Sequence, residues 1–309
     1  MNVDEPLPCL HVAGSVAAAL AGRRPVVALE STLVSHGLPR PDNLAVARKI
    51  EATVRQHGAV PATVGVLDGQ LIVGLSDEQL QHLATDDDVI KVSIRDLAPA
   101  IALRRHGATT VASTATAAVR AGISVVATGG LGGVHRGARE SWDESADLAA
   151  LASTPVTVVC SGVKSILDVP ATLERLESLS IGLVGYRTDR FPGFYLTDSG
   201  FPVPWRVESA EQIANFMRVR ADLAVSRAAL VVANPLPEDE QVEPALHEHV
   251  LAEALAAAQD AAVSGKDVTP YLLAHFHRAT GGRSMEANVA IILQNASLAA
   301  DIAVAAERR

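Results

Sequence analysis

Aromatic residues are scarce. The chain has 309 residues but only five phenylalanines, three tyrosines and two tryptophans. Few rings are available to stack the bases of a nucleic-acid strand. Cations are also in short supply, with 26 lysines and arginines against 35 acids and a net charge of -9. Together these absences exclude a nucleic-acid polymer as partner, because nothing supplies the excess positive charge that displaces its counterions. Cysteine is limited to Cys9 and Cys160. No disulfide framework is implied, and a cytoplasmic location fits. The stretch Met1 to Leu10 carries Asp4 and Glu5 and no basic segment ahead of an apolar one, so it does not read as a signal peptide. No unbroken apolar run approaches the roughly 18 residues needed to cross a bilayer, and no membrane partner is expected.

What is present is apolar: 49% of the residues, enough for a large core. It comes as short β-branched runs: 26–29, 89–92, 109–112, 123–127, 156–160, 181–184 and 229–232. Most lack polar alternation, as strands covered on both faces do. Longer segments at 42–57, 209–226, 244–264, 269–279 and 284–305 have helical periodicity. Ser76 with Gln79, and Ser209 with Gln212, read as capping boxes at helix starts. Asp68-Gly69 between two apolar runs signals a hairpin, so the sheet is expected to be mainly parallel or mixed. Residues 187–205 hold five of the ten aromatics with little periodicity, the character of a lid or an oligomer contact. With no linker visible, residues 1–309 are expected to form one α/β domain.

Several polar residues interrupt this pattern where chemistry is expected. Glu30 ends the first run; ligands collect beyond the carboxyl ends of such strands, and a carboxyl group there can act as a general acid or simply cap the strand. Lys91 sits inside an apolar run and Lys164 follows another, in what reads as the same strand-end register. Such lysines serve as phosphate clamps, imine-forming amines or edge charges. The loop Gly129-Gly130-Leu131-Gly132-Gly133 follows a strand and either lets an anion approach its amides or makes a tight turn. It matches neither a P-loop nor a dinucleotide fingerprint. Asp143 and Asp147 would stand one turn apart if a helix began at Asp143, either holding a hard cation or capping the helix. Asn288, on an apolar helix, needs polar partners, from substrate or from a loop. His247, His249, His275 and His277 read as surface or packing residues.

These segments, taken in order, resemble one family. They are Ala28-Leu29-Glu30-Ser31-Thr32, Ser35-His36-Gly37-Leu38-Pro39, the glycine-rich 128–137, Ser145-Ala146-Asp147-Leu148, the lysine-bearing 158–168 and Val231-Val232-Ala233-Asn234-Pro235. They are similar to the pseudouridine-5′-phosphate glycosidase, or indigoidine synthase A-like, family over about residues 25–303. The resemblance implies a three-layer α/β/α sandwich and reversible cleavage of a carbon–carbon glycosidic bond, giving uracil and ribose 5-phosphate. It implies that the ribose ring opens, that Lys164 forms an imine with the former anomeric carbon, and that this imine is the electron sink. Glu30 would be the proton donor. Lys91 and Val111 would contact substrate, Asp143 would hold Mn2+, and Ser145, Ala146 and Asp147 would line the ribose phosphate and metal region. His135 and Asn288 would support the substrate site. The family also implies a homotrimer and a functional link to a separate pseudouridine kinase. Two other activities fit the same residues: a Schiff-base lyase on another sugar phosphate, and a non-catalytic sugar-phosphate sensor.

Overall fold

The computed structural model describes residues 9–224, 226–261, 263 and 268–308. The N-terminal stretch before Cys9, residue 225 and the expected helix end at 264 lie outside the described residues. Eleven strands are described: β1 Leu10–Val12, β2 Val26–Leu29, β3 Val60–Leu67, β4 Gln70–Val73, β5 Ile90–Val92, β6 Gly107–Thr109, β7 Val125–Ala127, β8 Thr157–Cys160, β9 Gly182–Tyr186, β10 Arg206–Val207 and β11 Leu230–Ala233. The helices are α1 Gly14–Ala21, α2 Asp42–Gln56, α3 Asp77–Thr85, α4 Leu97–Ala102, α5 Val111–Ala121, α6 Ala138–Ser141, α7 Ala146–Leu151, α8 Val169–Ser178, α9 Ala210–Leu223, α10 Pro244–Asp260, α11 Val268–Ala279 and α12 Arg283–Glu307.

The sheet runs β1-β4-β3-β2-β7-β8-β11-β9-β10, with β6 branching from β3 and β5 pairing with β6. All pairings are parallel except β3–β4 and β3–β6. The central strands explain the unbroken apolar runs. Val26 and Ala28 join one core with residues of α5, while Val27 and Leu29 join a second with residues of α2, α9 and α12. Successive side chains point to opposite faces, and both faces are covered by helices. The result is the expected three-layer sandwich. The Asp68-Gly69 hairpin forms between β3 and β4, with φ of 52° and 79° at its central residues.

The sequence reading differs from the structure at five places. The run 109–112 is not one strand: β6 ends at Thr109, and Val111 opens α5. A tertiary contact fixes that start, because Asp147 accepts a hydrogen bond from the Ala112 N–H. Lys91 and Lys164 do not share a strand-end register. Lys91 lies within β5, on the side branch, and Lys164 follows β8 in the central path. The second capping box is half formed: Ser209 accepts from the Gln212 N–H, but the Gln212 side chain accepts from the Glu208 N–H instead. The middle of segment 187–205 packs into the core, while Trp205 at its end is exposed. Phe191, Phe194 and Tyr195 are buried, and the Phe194 N–H donates to the Ser161 carbonyl at 3.0 Å. Finally, α12 is long and apolar enough to cross a membrane by composition. Its Ile291, Ile292, Ala299 and Ile302 are instead buried in the core.

Candidate active site

The central strands deliver their following residues to one end of the sheet, as in other open α/β sheets. Glu30 follows β2, Thr128 follows β7 and Lys164 follows β8 by a short loop. Two loops are sewn together there. The Leu131 N–H donates to the Gly162 carbonyl at 2.9 Å, and the Lys164 N–H donates to the Leu131 carbonyl at 3.1 Å. Lys164 is therefore held by the glycine-rich loop, not only by its own strand. Beside it is a cavity of about 290 Å³. Its wall includes Glu30, Lys91, Val111, His135, Asp143, Ser145, Ala146, Asp147 and Lys164. Residues read separately from the sequence thus share one space.

Glu30 is the electrostatic centre. Loss of water raises its carboxyl group above the ordinary range. Lys164, the Thr128 hydroxyl and Lys91 oppose that shift, while Asp147 reinforces it. Thr128 donates its hydroxyl proton to Glu30. A carboxyl group that keeps its proton above the usual range, next to an amine, is suited to proton donation. His135 is pushed the other way: burial lowers it, Asp143 opposes this at 3.7 Å, and Lys91 and Lys164 lower it further.

Asp143 and Asp147 do not share a helix face. Asp143 lies in the loop before α7, and α7 begins at Ala146. Their surroundings are opposite. Asp147 is buried and accepts from the Ala112 N–H and the Gly132 N–H, both at 2.9 Å. It locks the α5 start to the glycine-rich loop. Asp143 faces the cavity, a third exposed, with His135 as its neighbour. One accessible carboxylate with room for water suits a hard divalent cation such as Mn2+. Among the described residues, a group of three side chains close enough to chelate lies elsewhere, at His82, Asp86 and His106.

Two of the loop's glycines are explained by close packing. A Cβ at Gly132 would stand 2.1 Å from the Ser145 Oγ, and one at Gly130 would stand 2.6 Å from the Phe194 ring. The Gly132 N–H is already used by Asp147. The loop is stripped of side chains so that protein can pack against it.

A second, smaller cavity shares Glu30, Lys91 and Lys164 with the first. Asn288 and His36 line it, and both Asn288 Oδ1 and His36 Nε2 are buried without a protein partner. Burial, then the Lys91 charge, lowers His36, so its ring is neutral near pH 7. Sequence reasoning named Asn288 but gave no role to His36, Thr128 or Phe194. It also passed over Ser93, Arg95 and Thr110, which line the first cavity near Lys91. The signal for two of these was local: Ser93 and Arg95 follow Lys91 within four residues.

Residues 15–305 match the model of the indigoidine synthase A-like protein family. A pseudouridine-5′-phosphate glycosidase of Salinispora tropica is 63% identical over 294 residues, spanning 95% of this chain and 91% of that one. One of Streptomyces griseus is 56% identical, spanning 99% and 93%. Two solved structures share the fold. The prealnumycin C-glycosynthase AlnA, in complex with ribulose 5-phosphate, superposes with a TM-score of 0.89 at 38% identity, covering 98% of each chain. An indigoidine synthase A-like protein of Thermotoga maritima superposes at 0.87 with 36% identity, covering 97% of each. With that match over nearly its whole length, and with Glu30 and Lys164 gathered in one cavity at the strand ends, the chain belongs to the indigoidine synthase A-like family.

Proposed function

We propose that this protein is a pseudouridine-5′-phosphate glycosidase, cleaving its substrate reversibly to uracil and ribose 5-phosphate. The observation that carries this reading is the placement of Glu30 and Lys164 on one cavity wall, with the Glu30 carboxyl group raised by burial. A C-glycoside has no heteroatom leaving group, so protonating a glycosidic oxygen, the usual glycosidase route, is closed to it. A lysine amine solves this. As the ring C1′–O4′ bond breaks, Lys164 Nζ, as the neutral amine, bonds to C1′ and loses a proton, and O4′ takes up a proton to become a hydroxyl. The nitrogen lone pair then forms the imine as the C1′–C5 bond breaks, and the electron pair goes to the base. Glu30 delivers the proton that C5 takes up. Water hydrolyses the imine, freeing Lys164 and ribose 5-phosphate.

Lys91, with Arg95, Ser93 and Thr110, supplies charge and hydroxyl groups for the phosphate end of the first cavity. Ser145, Ala146 and the backbone at Val111 line the ribose. Asp147 acts by holding that wall in place. Asp143, with His135 beside it, would hold the manganese ion, which when bound supplies positive charge against the phosphate. The unpartnered Asn288 Oδ1 and His36 Nε2 match the N–H groups of a pyrimidine base. The protein acts on a free nucleotide in the cytoplasm, where its two cysteines stay unpaired, and a separate kinase phosphorylates its substrate. It assembles as a homotrimer, a reading supported by exposed Phe216, Val219 and Leu223 on α9 with Trp205 nearby.

The test is direct. Purified protein with Mn2+ and pseudouridine 5′-phosphate is expected to release uracil, measured by chromatography. Borohydride is expected to trap a ribose phosphate adduct whose mass maps to Lys164. Uracil release by Lys164→Ala at the wild-type rate would overturn the reading. Adduct formation with other sugar phosphates but no uracil release would instead favour a lyase of different substrate, and binding without cleavage would favour a sensor.

A further inference from the structure

Outside the cavity, three side chains from separate parts of the chain converge. His82 is in the last turn of α3, Asp86 caps that helix, and His106 precedes β6. None of them lines either cavity at the strand ends. The two imidazoles meet edge-on at 78°, with ring centres 4.5 Å apart. His82 Nε2 and His106 Nδ1 are in direct hydrogen-bond contact. Asp86 Oδ2 lies 3.4 Å from His82 Nε2. The three ligand atoms all lie within 4.8 Å of one another.

The neighbours of these groups are arranged as a metal site requires. A ligating histidine usually donates its other ring N–H to a carboxylate, which fixes the tautomer. His106 Nε2 faces the Asp68 carboxylate at 3.5 Å, on the turn of the β3–β4 hairpin. Asp86 Oδ1 accepts from the Asp88 N–H at 2.8 Å, which leaves Oδ2 for the histidines. Arg40, beside Asp86 in space, is already engaged by Asp87 and the Asp86 carbonyl. His82 and Asp86 are one helical turn apart, the spacing that puts two ligands on one face.

We propose that His82 Nε2, His106 Nδ1 and Asp86 Oδ2 bind a borderline transition-metal ion of the Zn2+ class, with water completing the tetrahedron and Asp68 orienting His106. In the metal-free protein one proton occupies the contact between the two ring nitrogens. The ion takes its place and the proton moves to His82 Nδ1, so that both imidazoles ligate as neutral rings. Two imidazoles and one carboxylate favour Zn2+, Co2+ or Ni2+ over the harder Mn2+ or Mg2+. The site pins the end of α3 to the strand pair β5–β6, the pair that carries Lys91.

The experiment uses tag-free, chelator-stripped protein, kept in excess Mn2+ to fill hard-cation sites. Zn2+ is titrated calorimetrically into wild type, His82→Gln, His106→Gln, Asp86→Asn and Asp68→Asn. Wild type is expected to bind one more Zn2+ per chain than His82→Gln or His106→Gln. Asp68→Asn is expected to keep the stoichiometry but weaken binding about 10- to 100-fold, as loss of an orienting carboxylate does. Zn2+ should raise the melting temperature of wild type and not of His106→Gln. Uracil release with Mn2+ should be unaltered in Asp68→Asn, which separates this site from the proposed activity. Equal Zn2+ stoichiometry and affinity across wild type and all folded variants would overturn the proposal. If a histidine variant fails to fold, by circular dichroism, the Asp86→Asn and Asp68→Asn pair decides it in the same way.

Discussion

The two walls of the cavity are built on opposite terms. One carries Glu30 and Lys164 and follows the central parallel strands, where backbone hydrogen bonds tie each loop to its neighbour. The other carries Asp143 and His135 and hangs from α6, a helix of four residues flanked by left-handed Gly137 and Trp142. Buried Asp147 belongs to the first kind and half-open Asp143 to the second, although they are four residues apart. Proximity in sequence therefore says little about role. On the proposed reading, the groups that meet the reacting carbon are held by the sheet, whereas the carboxylate for a hydrated ion is left accessible.

Removing the amine from the rigid wall should have the largest effect: Lys164→Ala is expected to abolish uracil release and borohydride trapping while leaving the far-ultraviolet spectrum intact. Glu30→Gln, which keeps the shape but cannot give up a proton, should lower turnover by about 10²- to 10⁴-fold, the usual worth of a general acid. Its pH profile sharpens the assignment. Glu30 must be protonated to act, so wild-type activity should fall as pH rises through its raised value, and that limb should vanish in Glu30→Gln.

The two aspartates break the comparison most cleanly. Asp147→Ala orphans two buried N–H groups and should destabilise the fold by roughly 1–3 kcal/mol for each, read by denaturant unfolding. Asp143→Ala should change stability by less than about 0.5 kcal/mol, as at other accessible sites, yet abolish the response of turnover to Mn2+. Equal losses of stability in the two variants would erase the distinction between the walls.

A smaller effect lies away from both walls. His247 is buried against Phe276, and burial, then the Arg136 charge, pushes its ring down to about 4. Its folded value is below its unfolded one, so the neutral form is the one the fold accepts. Stability from this group is complete above pH 6.5 and is lost as pH falls from 6.5 to about 4. The loss should total about 3 kcal/mol. Replacement by leucine should flatten that part of the stability profile.

Much of this was legible in the chain. The strand runs at 26–29, 156–160 and 229–232 read correctly because strands covered on both faces have no polar alternation to confuse. The Asp68-Gly69 turn read correctly because few sequences other than Asx-Gly accept two positive φ values. The start of α5 did not, because its first-turn donor is satisfied by Asp147, 35 residues away. The close packing against the glycine-rich loop was not legible for a similar reason. Which atoms crowd Gly130 and Gly132 depends on Phe194 and Ser145, brought in by other segments. The aromatics of 187–205 read as a lid or an oligomer contact because nothing local reveals that three of them are buried.

By itself, the sequence determined the layer order and the family, and it singled out Glu30 and Lys164, because apolar period and short motifs are local properties. Only the tertiary structure decided that Lys91, on a side branch, meets Lys164, on the central path. It alone separated Asp147 as a buried clamp from Asp143 as an accessible carboxylate, and it alone brought His82 to His106. Each of those depends on where distant segments pack, and burial, which sets charge and hydrogen-bonding cost, exists only once they have packed.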